Sequence, residues 1–157
     1  MLPLLRPGAW LCLQPMTDQR VPVLLYDGTC SLCNGFVRLL LRIDAGGRMR
    51  FAPLQSAPAQ EFLRSEGLPT ESFESLVFVP DWNSRAAGAR LLRTDGALAA
   101  FREIGGAWRA VSWLRVLPAI MRDPVYRMVA RTRHALFGEF KPSPLGNPDW
   151  EKRFIAR

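Results

Sequence analysis

Two thiols three positions apart, Cys30 and Cys33, stand just after a carboxylate, Asp27, in the segment Asp27-Gly28-Thr29-Cys30-Ser31-Leu32-Cys33. A thiolate attacks a disulfide sulfur, and a second thiol within reach then attacks the mixed disulfide and releases the reduced substrate. The spacing suits this exchange if Cys30 opens a helix and Cys33 lies one turn further in. At a helix N-terminus the free backbone N–H groups and the dipole favour an anion and lower a thiol's pKa. Cys30 is therefore expected as the exposed nucleophile and Cys33 as the sheltered resolving thiol. Asp27 has two readings. Either it takes the proton from Cys33 as a base, or its side chain caps the Asp-Gly turn. A carboxylate beside Cys30 would also raise that thiol's pKa, against the dipole.

The surrounding pattern supplies the elements this requires. Residues 21–26 (VPVLLY) read as a buried strand. Asp27-Gly28 marks a turn, and a helix starts near Ser31 with Leu32, Phe36, Leu39, Leu40 and Ile43 on one face. Residues 48–51 predict a half-covered strand with Met49 and Phe51 inward, residues 58–66 a short helix, and residues 76–79 (LVFV) a second buried strand. Residues 89–93 return as a shorter strand, forming a hairpin with it. Thr94 or Asp95 then caps a helix carrying Leu98, Phe101 and Ile104. The order is β-α-β-α-β-β-α. Two further helices are expected: residues 107–117, and one with Asp123 as N-cap, Pro124 at its first position, and Val125, Val129, Thr132 and Leu136 on one face. Trp108, Trp113, Leu114, Leu117, Met121, Tyr126 and Met128 should mostly pack on the core.

Zinc is the rival chemistry for two closely spaced cysteines. A closed structural site needs four ligands. Cys12, Cys30, Cys33 and the single histidine, His134, would be the set, but Cys12 lies in an N-terminal arm and His134 in a remote helix. No Ser-His-Asp arrangement, phosphate-cradling glycine loop or H-E-x-x-H motif is present.

The run Tyr26-Asp27-Gly28-Thr29-Cys30-Ser31-Leu32-Cys33-Asn34 resembles the DCC family of predicted thiol-disulfide oxidoreductases, named for an Asp and two Cys placed like Asp27, Cys30 and Cys33. Thr94-Asp95-Gly96-Ala97 is similar to a helix start of that family. Pro124-Val125-Tyr126, Arg131, Arg133 and Phe137-Gly138 resemble its C-terminal stretch. The resemblance covers residues 21–138 and implies a thioredoxin-like α/β fold with a C-terminal helical extension. It further implies a dithiol redox centre at Cys30 and Cys33 with Asp27 beside it, and no organic cofactor. The expected partners are a protein or low-molecular-weight disulfide substrate and a thiol or redox-protein electron donor. The sequence departs from its relatives in two places. Lys141-Pro142-Ser143-Pro144 lacks the further cysteine some family members carry there. Glu74-Ser75-Leu76 has no proline where thioredoxins place a cis-proline before the third strand, so the edge that docks substrate is either missing or supplied differently.

The 157 residues, 48% hydrophobic and 22% charged, are globular proportions and exclude a wholly disordered chain. No apolar run approaches the roughly 18–20 residues that span a bilayer. The expected organisation is an irregular arm (1–20), a redox domain (21–105), a helical extension packed on it (106–138) and an irregular tail (139–157). The arm reads poorly as an export signal, because prolines break its apolar stretch. A reducing cytoplasm is therefore the expected setting. The net charge is +7, of which +5 falls within residues 106–138. That extension offers a basic helical surface for an anionic membrane or an acidic partner, the alternative reading in which the domain is a scaffold. No nucleic-acid-binding motif accompanies the charge.

Overall fold

The computed structural model describes residues 20–71, 73, 75–84, 89–141 and 144–156, with the side chain of His134 left out. Strand β1 (Val23–Tyr26) is buried along its whole length. Its side chains alternate: Leu24 and Tyr26 enter one apolar cluster, Val23 and Leu25 the other. The sheet therefore has a covered layer on both faces. On one side lie α1 (Ser31–Ile43) and α3 (Arg93–Ile104), contributing Val37, Leu40, Leu41 and Ala100. On the other lies α2 (Ala57–Ser65), contributing Ala59, Phe62 and Leu63.

Strand β2 (Arg50–Pro53) runs parallel to β1, with Leu24 opposite Phe51. Strand β3 (Val77–Val79) runs antiparallel to β1, and β4 (Leu91–Leu92) antiparallel to β3. The spatial order β2-β1-β3-β4 with the chain order β-α-β-α-β-β-α makes the fold thioredoxin-like. The strand order reverses direction beside β1, so the crevice past the carboxyl end of β1 is the natural ligand position. Asp27 and the cysteines follow that end directly.

Helix α3 starts earlier than the sequence predicts, at Arg93, whose φ of 52° turns the chain sharply out of β4. Gly96 permits the resulting close approach. A Cβ there would lie 2.7 Å from the Leu91 carbonyl oxygen and 2.8 Å from Leu76 Cδ1.

The extension departs from expectation in three respects. Residues Gly106–Val116 form 3₁₀ turns rather than an α-helix. Helix α4 (Ala119–Phe137) begins four residues before Asp123, so Pro124 lies inside it and removes one backbone donor. Asp123 does not cap the helix. Its carboxylate accepts a hydrogen bond from Thr94 Oγ1 at 3.2 Å and lies 3.7 Å from Arg93, tying α4 to α3. Most of the apolar residues expected to pack inward do not. Trp113 is 76% exposed and Leu136 72%, and Leu114, Met121, Val125 and Met128 are also exposed. Trp108 stacks on Phe101, and Tyr126 turns inward.

After α4 the chain crosses back over the domain. Residues Pro148–Arg153 make 3₁₀ turns. Arg153 is buried against the Asp44 carboxylate, and Ile155 N donates to the Phe51 carbonyl at 2.9 Å, covering the β2 edge. Among the described residues no helix is long and apolar enough to cross a membrane.

Candidate active site

The turn after β1 is held by side chains from three directions. Asp27 Oδ1 accepts hydrogen bonds from Thr29 N at 3.0 Å, Thr29 Oγ1 at 2.7 Å and Gln55 Nε2 at 2.9 Å. Gln55 Oε1 in turn accepts from Gly28 N at 3.0 Å. Asn34, buried on α1, donates to the carbonyls of Gly28 at 2.8 Å and Cys30 at 2.9 Å. Burial alone would raise the Asp27 pKa, but the hydrogen bonds from Thr29 and Gln55 and the charge of Arg133 outweigh it, so the pKa lies below the usual value. Asp27 is therefore ionised at neutral pH and fully engaged as an acceptor, which matches the turn-capping reading.

Cys30 occupies the N-cap of α1 with extended backbone, and Cys33 lies one turn deeper. The sequence places the helix start correctly. Exposure is the reverse of expectation: Cys30 is fully buried, while Cys33 is only partly so. The chain just after α4 pairs with the backbone on either side of Cys30. Ser31 N donates to the Gly138 carbonyl at 3.5 Å, Phe140 N donates to the Thr29 carbonyl at 2.7 Å, and Cys30 pairs with Glu139 in an antiparallel bridge.

Arg133, on α4, enters the site from 100 positions beyond Cys33. It is buried, and its Nη1 donates to Cys33 Sγ at 3.0 Å. Its Nη2 donates to Asp27 Oδ2 at 3.0 Å and to the Phe73 carbonyl. Burial pushes the Cys33 thiol up to about 12. Arg133 opposes this, while Cys30, in hydrogen-bond contact, and Asp27 add to it. At neutral pH Cys33 is thus a thiol, the state that suits a resolving cysteine.

A cavity of about 210 Å³ opens beside Cys33, lined by Leu32, Phe36, Tyr126 and Arg133 among others. Tyr126 Oη accepts a hydrogen bond from Leu76 N at 3.1 Å, and burial raises its pKa. Tyr126, Ala130 and Arg133 recur at four- and three-residue steps, so one face of α4 forms the wall of the site. That spacing, with polar tips on Tyr and Arg, was the available signal for these residues. Of the residues read as a basic surface, Arg122 and Arg133 are instead paired with Asp95 and Asp27.

Among the described residues no group of three or more histidine, cysteine or acidic side chains is placed to hold a metal ion. Cys12, and the side chain of His134, lie outside the described residues.

The chain is 37% identical over 142 residues to a protein of Bacillus subtilis (strain 168) named uncharacterized protein YuxK, covering 89% of this chain and 99% of that one. It is 30% identical over 122 residues to a DCC family protein of Arabidopsis thaliana described as chloroplastic, covering 77% of this chain and 67% of that one. No solved structure matches. Residues 24–139 match the family described as DCC1-like thiol-disulfide oxidoreductase. That span runs from β1 through Arg133 to the segment covering Cys30, and by it the chain belongs to the DCC1-like thiol-disulfide oxidoreductase family.

Proposed function

We propose that Cys30 and Cys33 form a dithiol that reduces a disulfide substrate by exchange. The observation that carries this is the pair's placement: Cys30 at the N-cap of α1, Cys33 one turn on, with Arg133 Nη1 3.0 Å from the Cys33 sulfur. The Cys30 thiolate attacks one substrate sulfur. A Cys30–substrate bond forms, the substrate S–S bond breaks, and the departing sulfur leaves as a thiolate that takes up a proton. Cys33 then gives its proton to solvent and attacks the Cys30 sulfur, forming the Cys30–Cys33 disulfide and expelling the second substrate sulfur, which takes up a proton and leaves as a thiol. Two electrons pass to the substrate, and a thiol or a dithiol redox protein returns them. Asp27 serves by holding Arg133 and the turn in place. Reduction is the proposed direction and a reducing cytoplasm the proposed setting.

The test is a redox titration of the pair together with a disulfide-reduction assay on wild type, Cys30→Ser and Cys33→Ser. Loss of turnover in both variants and a mixed disulfide trapped on Cys30 in Cys33→Ser are expected. A pair that neither cycles nor matters to turnover would end the enzymatic reading.

A second role, contact with an anionic lipid surface, is favoured by one specific feature. Met121, Val125, Met128 and Leu136 lie exposed along one face of α4, with Val116 at 88% and Ile120 at 81% exposure nearby. Arg127 and Arg131 are exposed on the same helix. Apolar and basic residues so arranged lie flat on charged membranes. Cosedimentation with phosphatidylserine vesicles, weakened by Arg127→Glu with Arg131→Glu and by salt, is the expected result. Equal binding to neutral vesicles, or none to either, would dismiss the role while leaving dithiol cycling intact.

A further inference from the structure

The thioredoxin-like fold ordinarily docks a substrate's backbone beside a cis-proline. Here residues 74–76 contain no proline, and no cis peptide bond occurs among the described residues. The backbone around Cys30 supplies an edge of another kind, and it is already occupied. Phe140 N donates to the Thr29 carbonyl at 2.7 Å, Ser31 N donates to the Gly138 carbonyl at 3.5 Å, and Glu139 lies opposite Cys30 in the antiparallel sense. These are the contacts one extended strand makes with another. Cys30 beside them is completely buried, so its sulfur can neither attack nor be attacked until its cover moves.

We propose that backbone residues 29–31 are the docking edge for an extended, cysteine-bearing segment of a protein substrate, and that residues 138–140 fill that edge as an internal stand-in until the substrate displaces them. The inference rests on the dithiol reading above and names its substrate class.

Three features support displacement by a polypeptide rather than by a small disulfide. First, the bonds are main chain to main chain, so any extended segment can replace them regardless of its side chains. A small disulfide would leave the Thr29 carbonyl and Ser31 N–H to water, whereas an extended peptide restores both bonds. Second, the segment has a pivot. Gly138 follows the last residue of α4 with φ +66°, the usual left-handed residue past a helix end, and the space around it is open. Third, the side-chain contact on α1 is exchangeable. Among the described residues, the Phe140 ring sits under the Arg38 guanidinium at 5.7 Å, a contact on the flank of α1 that another side chain could replace. Exchange of one strand for another therefore conserves the bonding at the edge and uncovers Cys30 only when a peptide is present to use it.

The full-length Cys33→Ser protein, loaded on Cys30 with a synthetic peptide presented as an activated mixed disulfide, tests this by amide hydrogen exchange. In the free protein the Phe140 amide should be protected. In the peptide adduct its exchange should rise by about tenfold or more, the equivalent of one lost hydrogen bond, while the Ser31 amide keeps its protection. In an adduct with mercaptoethanol both amides should lose protection. Phe140→Ala should speed peptide loading of Cys30, and if that variant fails to fold, Arg38→Ala should do so by releasing the same ring. An adduct in which the Phe140 amide stays protected would overturn the docking edge and leave the dithiol reading standing. Failure of Cys30 to load with any disulfide would overturn both.

Discussion

Arg133 Nη1 lies 3.0 Å from Cys33 Sγ, although the two residues are 100 positions apart. The same guanidinium donates to Asp27 Oδ2 at 3.0 Å. One cation thus joins the carboxylate and the second thiol of the motif, and it comes from the helix appended to the thioredoxin-like core. The pair with Asp27 is almost entirely out of water, where charges interact strongly and neither partner is dispensable.

Arg133→Met should therefore be the costliest single change near the site. It leaves the Asp27 carboxylate buried without its cation, which predicts a loss of about 3–5 kcal/mol of stability. Urea unfolding measures it. A loss within about 0.5 kcal/mol, the ordinary range for surface changes, would mean the pair is not formed in solution.

Acid stability should report Asp27. Its folded pKa is depressed, so its contribution is fully present above the unfolded value and disappears as pH falls through the folded one. The wild-type protein should lose stability as pH drops below about 4. Asp27→Asn should be less stable at neutral pH and show a shallower acid slope. Parallel curves for the two proteins below that pH would contradict this.

Alkaline stability should report Cys33, with the opposite sign. A thiol whose pKa is raised to about 12 binds its proton more tightly folded than unfolded. Its contribution is present below the unfolded value of about 8.5 and is lost as pH climbs from there toward the folded value. Cys33→Ala should flatten that decline. In Cys30→Ser, alkylation of Cys33 should still be accelerating at pH 9, and a plateau below pH 8 would show that burial does not control this thiol.

Gly96→Ala tests how α3 meets β4. The added methyl would lie 2.7 Å from the Leu91 carbonyl oxygen, a backbone atom that cannot simply rotate away. The expected cost is about 1–3 kcal/mol, as for other overpacked sites, despite alanine's better helix propensity. Thermal unfolding decides it: an unchanged or raised Tm would mean that β4 yields freely.

Much of this was legible residue by residue. The run VLLY, followed by Asp-Gly and an amphipathic pattern, specifies a buried strand, a turn and a helix because both periodicity and turn chemistry are local. Cys30 accordingly falls at the N-cap of α1. Helix α4 departs from its hydrophobic pattern for an equally physical reason. Val125, Val129 and Leu136 form an apolar face, yet α4 turns Tyr126 and Arg133 inward, because Leu76 N, Asp27 and Cys33 offer them partners. A hydrophobic pattern shows which face would gain from burial, not which neighbour will be there.

The sequence by itself therefore determined the strand order in the chain, the strand-to-helix step that carries the dithiol, and membership of its family. Those follow from local propensity, two-residue and 3.6-residue periods, and a short motif. Only the tertiary structure decided which sulfur is covered, which cation faces the dithiol and which apolar residues stay in water. These depend on residues 133 and 138–140 meeting residues 27–33 across the fold. Such contacts are set by how the last helix packs, and no spacing within a single segment encodes that.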